Sequence, residues 1–273
     1  MKTLEFAGHN LPLIGQGTWR MGEIASQQAQ EVRALQQGIE LGLTLIDTAE
    51  MYGEGGAEKV VGQAIRGRRD GLFLVSKVYP HNASRQGVIE ACERSLTRLG
   101  TGYLDLYLLH WRGGEPLEET VAGFEDLVRQ GKIGRWGVSN FDVDDLVELD
   151  NPRCATNQVL YNPKARGIEF DLLPWSRSAG LPTMAYCPIA QGGDVLHHPA
   201  LRKVAERHRI TPAQACLAWV LREPGVMAIP KASSAAHIAE NAAAANIHLD
   251  AEDLALIDAA FPAPKRKQHL SMV

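Results

Sequence analysis

Leu104–His110 reads LDLYLLH, an apolar run broken by an aspartate and a tyrosine and closed by a histidine. So short and nearly continuous a run suits a strand buried on both faces of a parallel sheet. Working outward from it, seven further segments have the same character: Leu13–Gly17, Leu43–Asp47, Leu72–Lys77, Ile133–Ser139, Ala155–Gln158, Pro182–Tyr186 and Val226–Ile229. Most of their starts are about 30 residues apart, the length of one strand–helix–strand unit. The intervening stretches change period. Gln28–Leu41 places Val32, Leu35 and Ile39 on one stripe, and Ser84–Leu99 does so with Val88, Cys92, Leu96 and Leu99. Pro116 opens a helix over Leu117–Arg129, and Thr211-Pro212 opens another over Ala213–Leu221. Gly42, Gly100 and Gly131 follow helical runs, where a left-handed cap favours glycine.

Eight strands alternating with helices are the count for a closed (β/α)₈ TIM barrel. An open doubly wound sheet is the competitor, but its phosphate loop G-x-G-x-x-G follows none of the strands, and Gly53-Glu54-Gly55-Gly56 misses the spacing. The alternating segment Lys2–Leu13, turning around Gly8-His9-Asn10, is expected to form an N-terminal β-hairpin over the barrel floor. With no linker or low-complexity tract, residues 1–273 read as a single barrel domain.

Composition narrows the partners. At 45% hydrophobic the chain can bury a large core, and 28 basic against 32 acidic side chains leave a net charge of -4, unlike a nucleic-acid binder. No run approaches the roughly 20 apolar residues of a membrane span, and the start lacks the apolar core of a secretory signal. Cys92, Cys154, Cys187 and Cys216 are scattered without a C-x-x-C pair, as in a reducing compartment. A cytoplasmic protein, monomeric or weakly oligomeric, is expected.

In such a barrel, chemistry collects at the carboxyl ends of the strands. The second, third and fourth strands end in Asp47, Lys77 and His110. Side chains alternate along a strand, so each of these shares the face of Leu45, Val75 or Leu108 and points into one rim. Tyr52 follows closely enough to fold over it. An ammonium beside a phenol favours the phenolate, so Lys77, held by Asp47, is expected to acidify Tyr52 while His110 orients a carbonyl. Each group also has a plainer reading: Asp47 and Lys77 as a structural ion pair, His110 as a hydrogen-bonded core residue, Tyr52 as an ordinary loop tyrosine. Four suitable groups on neighbouring strand ends favour chemistry, although the set lacks an electron source.

The segments Leu45-Ile46-Asp47-Thr48-Ala49-Glu50-Met51-Tyr52-Gly53, Val75-Ser76-Lys77-Val78, Tyr103–Trp111, Lys132–Phe141, Asn157–Tyr161, Ala185–Ala190 and Ile229-Pro230-Lys231 resemble, in order, the motifs of the aldo-keto reductase family. The likeness runs from about Gly15 to Asn241, and within the family the chain resembles bacterial reductases of methylglyoxal and related small carbonyls. The resemblance implies a barrel that binds NADPH/NADP+ in extended form and moves the pro-R hydride to a carbonyl carbon. It implies Tyr52 as the general acid, Lys77 and Asp47 as its supporting pair and His110 as the substrate-orienting histidine.

Cofactor contacts follow from the same resemblance. Ser139, Asn140 and Gln158 match groups that bond the carboxamide, whose donors and acceptors need such partners. Tyr186 matches the aromatic stacked on the nicotinamide, although without the motif it reads as a barrel-core tyrosine. Cys187, Pro188, Ile189 and Gln191 match the loop over the pyrophosphate, with Cys187 where a serine is common. Gly17, Thr18 and Asp47 belong to the same set. At the adenosine end Lys231 and Ser234 are retained, but Ala232 and His237 stand where relatives have a serine and an arginine, while Glu240 and Asn241 match adenine contacts. An imidazole mostly neutral near pH 7 does not replace an arginine fork, so weaker discrimination against NADH is expected. Trp19 and Trp111, with Met51 nearby, are expected to wall a pocket for a small carbonyl substrate together with Tyr52 and His110.

Three other readings compete: a Schiff-base aldolase using Lys77, a non-catalytic NADP(H) sensor on the same barrel, and a metal-dependent hydrolase. The last lacks any H-E-x-x-H or paired-ligand spacing, so no metal is expected. The tail carrying Lys265-Arg266-Lys267 reads as a solvated basic segment, with an anion-attracting lid as the alternative.

Overall fold

The computed structural model describes residues 2–6 and 8–273. An antiparallel hairpin, β1 (Thr3–Phe6) and β2 (His9–Pro12), precedes an eight-stranded parallel sheet. The sheet runs in chain order through β3 (Gln16–Gly17), β4 (Leu45–Asp47), β5 (Phe73–Val78), β6 (Leu104–Leu109), β7 (Ile133–Ser139), β8 (Cys154–Leu160), β9 (Thr183–Tyr186) and β10 (Val226–Ala228). Parallel bridges Ile14↔Ala228 and Gly17↔Lys231 join the first strand to the last and close the expected barrel. A Cβ on Gly17 would stand 2.6 Å from the carbonyl oxygen of Ile229, so this seam admits only glycine there.

Helices α1 (Gln28–Glu40), α2 (Gly56–Ala64), α3 (Arg85–Leu99), α4 (Leu117–Arg129), α5 (Val143–Leu149) and α6 (Leu172–Ser178) fill the crossovers between successive strands from β3 to β9. The last crossover holds two, α7 (Pro199–His208) and α8 (Pro212–Val220), and α9 (Ala235–Ala244) and α10 (Ala251–Ala260) follow β10. Local chemistry sets their ends. Ser84 caps α3 by accepting from Gly87 N at 3.2 Å, and the Gly100 left-handed turn ends it. Thr211 and Gln214 form a capping box on α8.

Two apolar layers result. Leu45, Phe73, Val75, Leu106, Leu108, Met184 and Met227 fill the barrel, joined by Phe6 and Leu11 from the hairpin. Phe6 meets Phe73 edge-to-face at 5.8 Å, so the hairpin closes the floor as expected. The opposite faces, including Ile46, Leu74, Tyr107 and Leu109, pack against the helices. Because Leu45, Val75 and Leu108 face inward, period-two alternation sends Asp47, Lys77 and His110 into the same interior at its upper end.

Some boundaries differ from the sequence expectations. The first strand contracts to Gln16–Gly17, its earlier residues bonding across the seam only through single bridges. The hairpin turns earlier than Gly8-His9-Asn10, since His9 pairs with Phe6 and Asn10 with Glu5. The tail is not a freely solvated segment: Lys267 Nζ donates to Asp142 Oδ1 at 2.7 Å and Asp171 Oδ2 at 2.6 Å, and Leu270 packs against the outer core. Among the described residues, no helix is long and apolar enough to cross a membrane.

Candidate active site

The rim groups meet as the alternation requires. Lys77 Nζ donates to Asp47 Oδ1 and Oδ2 at 2.9 and 2.8 Å, to the carbonyl of Thr48 at 2.9 Å and to Tyr52 Oη at 3.2 Å. Those acceptors account for all three protons of an ammonium. Tyr52 comes from the 3₁₀ turn Tyr52–Gly55 after β4, which swings its hydroxyl back over the strand ends. Its ring meets His110 edge-to-face at 5.7 Å. His110 lies just beyond β6, its backbone N–H donating to Val78 O at 3.0 Å, and its buried Nδ1 has no protein partner. Lys77 is 0% exposed, buried behind Tyr52 with every proton used, so it is not presented as the free nucleophile an aldolase needs.

The electrostatics depart from one expectation. Tyr52 is not pre-acidified: burial, then the Asp47 carboxylate, raise its pKa well above the usual phenol value. The physical reason is that Asp47 contacts the same ammonium and largely cancels its field at the phenol, while burial disfavours the phenolate. Burial also lowers the Lys77 pKa, with Asp47 opposing, and burial together with Lys77 holds the His110 pKa well below the usual imidazole value. The resting site therefore presents a neutral phenol and a neutral imidazole beside a compensated ion pair.

The amide and hydroxyl groups expected at the nicotinamide are tied to one another. Gln158 Nε2 donates to Asp47 Oδ1 at 2.8 Å, and Ser139 Oγ donates to the Gln158 carbonyl at 2.9 Å. Asn140, in the left-handed region at φ 58°, donates through Nδ2 to the His110 carbonyl at 3.1 Å and to Ser139 Oγ at 3.2 Å. The Tyr186 hydroxyl donates to Asn140 Oδ1 at 2.8 Å. Tyr186 thus does more than offer a ring face: it fixes the amide that links β6, β7 and β9. Thr18 Oγ1 donates to the Asp47 carbonyl at 2.9 Å.

All these groups except Lys77 open onto one cavity of about 1020 Å³ that runs from Trp19, Tyr52, His110 and Trp111 to Lys231, His237, Glu240 and Asn241. Ser234 does not line it; its hydroxyl caps α9, accepting from His237 N at 3.3 Å. Cys187, Pro188, Ile189 and Gln191 form the intervening wall. Burial pushes the Cys187 thiol up to about 11, so it stands neutral there. Among the described residues, four of the eight non-glycine residues with left-handed backbone, Arg20, Asn140, Cys187 and Gln191, line this cavity, a concentration of local strain typical of binding sites. Sequence reading missed Arg20, Leu196, His197, Arg202, the first turn of α8, and Met272 and Val273, all of which also line it.

The residues present fit an extended dinucleotide. The volume is at the upper end of the roughly 300–1,000 Å³ of small-molecule sites, more than a small carbonyl compound fills. The wall offers an aromatic face at Tyr186, amides near the chemistry, and the cations Lys231 and Arg202, neither of which has an acidic partner among the described residues. The orphaned Nδ1 of His110 leaves a buried polar group at the substrate end unpartnered by protein.

Comparison with known proteins gives a concordant result. Residues 13–261 match the aldo/keto reductase family. The chain is 56% identical to methylglyoxal reductase YeaE of Escherichia coli (strain K12), covering 100% of this chain and 99% of that protein. It is 34% identical to glyoxal reductase of Bacillus subtilis (strain 168), over 92% of this chain and 90% of that one. Among solved structures, an aldo-keto reductase from Klebsiella pneumoniae in complex with NADPH superposes with a TM-score of 0.98 at 56% identity, covering 100% of this chain and 99% of the other.

Proposed function

The chain belongs to the aldo/keto reductase family, and from that premise we propose that it reduces small aldehydes, ketones or dicarbonyls such as methylglyoxal to alcohols with NADPH, Tyr52 giving the proton. The observation that carries this reading is the Lys77 Nζ–Tyr52 Oη contact of 3.2 Å, buried beside His110 at the head of the cavity. Bound reduced nicotinamide supplies a hydride, two electrons and one hydrogen, for the carbonyl carbon. The NADPH complex of the Klebsiella relative supports that choice of cofactor, and the names of the curated relatives support a small dicarbonyl.

This chain's residues account for the proton. Neutral His110 donates a hydrogen bond to the carbonyl oxygen and polarises it without protonating it. Tyr52, kept protonated by burial, is a weak acid until that oxygen takes on negative charge. Its O–H bond then breaks toward the oxygen, and the phenolate left behind sits 3.2 Å from the Lys77 ammonium. The ion pair therefore acts mainly on the charge that develops during reaction, where stabilisation accelerates it. Solvent returns the proton to Tyr52 afterwards. Gln158, Asn140 and Ser139 would hold the carboxamide, the Tyr186 ring would carry the nicotinamide face, and Lys231 with Arg202 would meet the phosphates. Trp19, Trp111 and Met51 supply apolar walls suited to a small carbonyl. The free thiols and the relatives of bacterial origin agree with a cytoplasmic setting.

A panel of small carbonyls with NADPH oxidation followed by absorbance tests this on the wild type and Tyr52→Phe. The wild type should turn over at least one dicarbonyl, and the variant should lose about 10²–10⁴-fold in kcat with NADPH affinity kept. A wild type that binds NADPH but reduces nothing would instead point to the sensor reading. A Tyr52→Phe enzyme as fast as wild type would remove Tyr52 from the mechanism.

A further inference from the structure

We infer that Lys267 is a specificity-determining residue: by bridging Asp142 and Asp171 it clips residues 268–273 across the cavity, and so limits the size of carbonyl the site admits. The inference rests on the carbonyl-reducing reading of that cavity. Three observations carry it.

The first is how little else fastens the segment. Beyond Phe261, residues 262–273 form no backbone–backbone hydrogen bond among the described residues, and apart from the approach of the Val273 backbone to the Tyr186 hydroxyl, the two bonds from Lys267 are what fastens them. Leu270 packs against the outer core, but Met272 and Val273 are 56% and 68% exposed and bury too little to hold themselves in position.

The second is where the clip attaches. Asp142 is the N-cap of α5 and closes a capping box with Asp145, while Asp171 is the N-cap of α6. Both carboxylates therefore stand on fixed helix starts. A single exposed ion pair contributes little, but one ammonium spanning two such anchors also fixes a direction for the chain leaving it. Asp142 follows Asn140 by two residues, so the clip fastens the tail to the loop that carries part of the site.

The third is where the segment leads. Met272 and Val273 line the cavity, and the Val273 backbone comes up against the Tyr186 hydroxyl, the group bonded to Asn140 beside His110. That is the end of the cavity near His110, which the indoles Trp19 and Trp111 also line. Releasing the clip opens this apolar wall while leaving Tyr52, Lys77, Asp47 and His110 untouched.

The test compares Lys267→Ala and Lys267→Arg with the wild type, using two readouts. The ¹⁵N–{¹H} heteronuclear NOE over residues 268–273 reports whether the segment is held. The ratio of kcat/KM for 2-naphthaldehyde to that for methylglyoxal reports the size limit. Lys267→Ala should lower the NOE in that segment alone and raise the ratio about tenfold, the scale on which an apolar wall discriminates; Lys267→Arg should keep both near wild type. An unchanged NOE in Lys267→Ala overturns the clip. A lower NOE with an unchanged ratio overturns the specificity role. A wild type that reduces neither probe at any concentration overturns the functional reading itself, a different outcome from either.

Discussion

At the barrel end of the cavity Asp47, Lys77 and Gln158 are buried and bound to one another, with the phenol of Tyr52 and the ring of His110 set against them. At the other end Lys231, His237 and Arg202 are exposed, and among the described residues the one hydrogen bond of the Lys231 ammonium is 3.5 Å long, to Ser233 Oγ. The two ends differ in what holds their geometry. At the first, hydrogen bonds and packing fix each side chain before any ligand arrives, the arrangement that electrostatic catalysis requires. At the second, the Lys231 and Arg202 cations are free to settle around a phosphate when one arrives, at a cost in side-chain entropy. Substitutions at the first end should therefore alter both stability and chemistry, and those at the second only affinity.

The sharpest test of that contrast is Lys77→Met. It leaves the Asp47 carboxylate buried without its cation, which costs about 3–5 kcal/mol of stability. It also removes the charge that steadies a developing phenolate, so kcat should fall about 10³-fold. The double variant Asp47→Asn with Lys77→Met separates the two effects: denaturant unfolding should recover much of the lost stability, and the absorbance assay should recover none of the rate. Recovery of rate along with stability would mean the pair is a structural staple after all.

Much of the first end was legible in the sequence because its logic is periodic. Three strand ends with a side-chain period of two bring Asp47, Lys77 and His110 together before any coordinates are known. Tyr52 needed more, since it sits on a turn whose path no periodicity dictates: its nearness to Asp47 in sequence suggested it, and the family motif then agreed. The error about its acidity came from counting one charge. Lys77 seen alone acidifies a phenol; Lys77 already bonded to Asp47, inside an apolar barrel, does not. Arg202 and His197 escaped notice because a helix and a 3₁₀ turn after β9 become cavity wall only through the way the crossover folds back. The Lys267 clip was the least legible of all, its partners lying 125 and 96 residues away in sequence and on two different helices.

Lys231→Ala probes the second end and should have a smaller effect. Loss of a charged contact to phosphate, about 1.5–3 kcal/mol, weakens NADPH binding about tenfold to a hundredfold. NADH lacks the 2′-phosphate and should bind unchanged, as should the unfolding midpoint. Quenching of the cavity tryptophans Trp19 and Trp111 on titration reads both affinities. An NADPH affinity that ignores the substitution would move the phosphate-binding role from Lys231 to Arg202. A loss shared equally by NADH would mean that Lys231 serves the pyrophosphate instead.

Tyr186→Phe lies between the two ends and should have the smallest effect. The substitution keeps the ring that faces the cavity and deletes only the hydroxyl that donates to Asn140 Oδ1 at 2.8 Å. If the ring alone matters, neither NADPH affinity nor turnover moves. If the hydroxyl holds the Asn140 amide, and through it the His110 backbone, kcat drops about fivefold, the worth of one neutral hydrogen bond of about 1 kcal/mol, and NADPH affinity falls by no more than that. Tyr186→Ala supplies the contrast, because it removes the stacking face as well and should weaken NADPH binding. A Phe variant that loses NADPH affinity as the Ala variant does would show that the hydroxyl serves the cofactor rather than His110, and the division of labour between the two ends would have to be drawn on the far side of Tyr186.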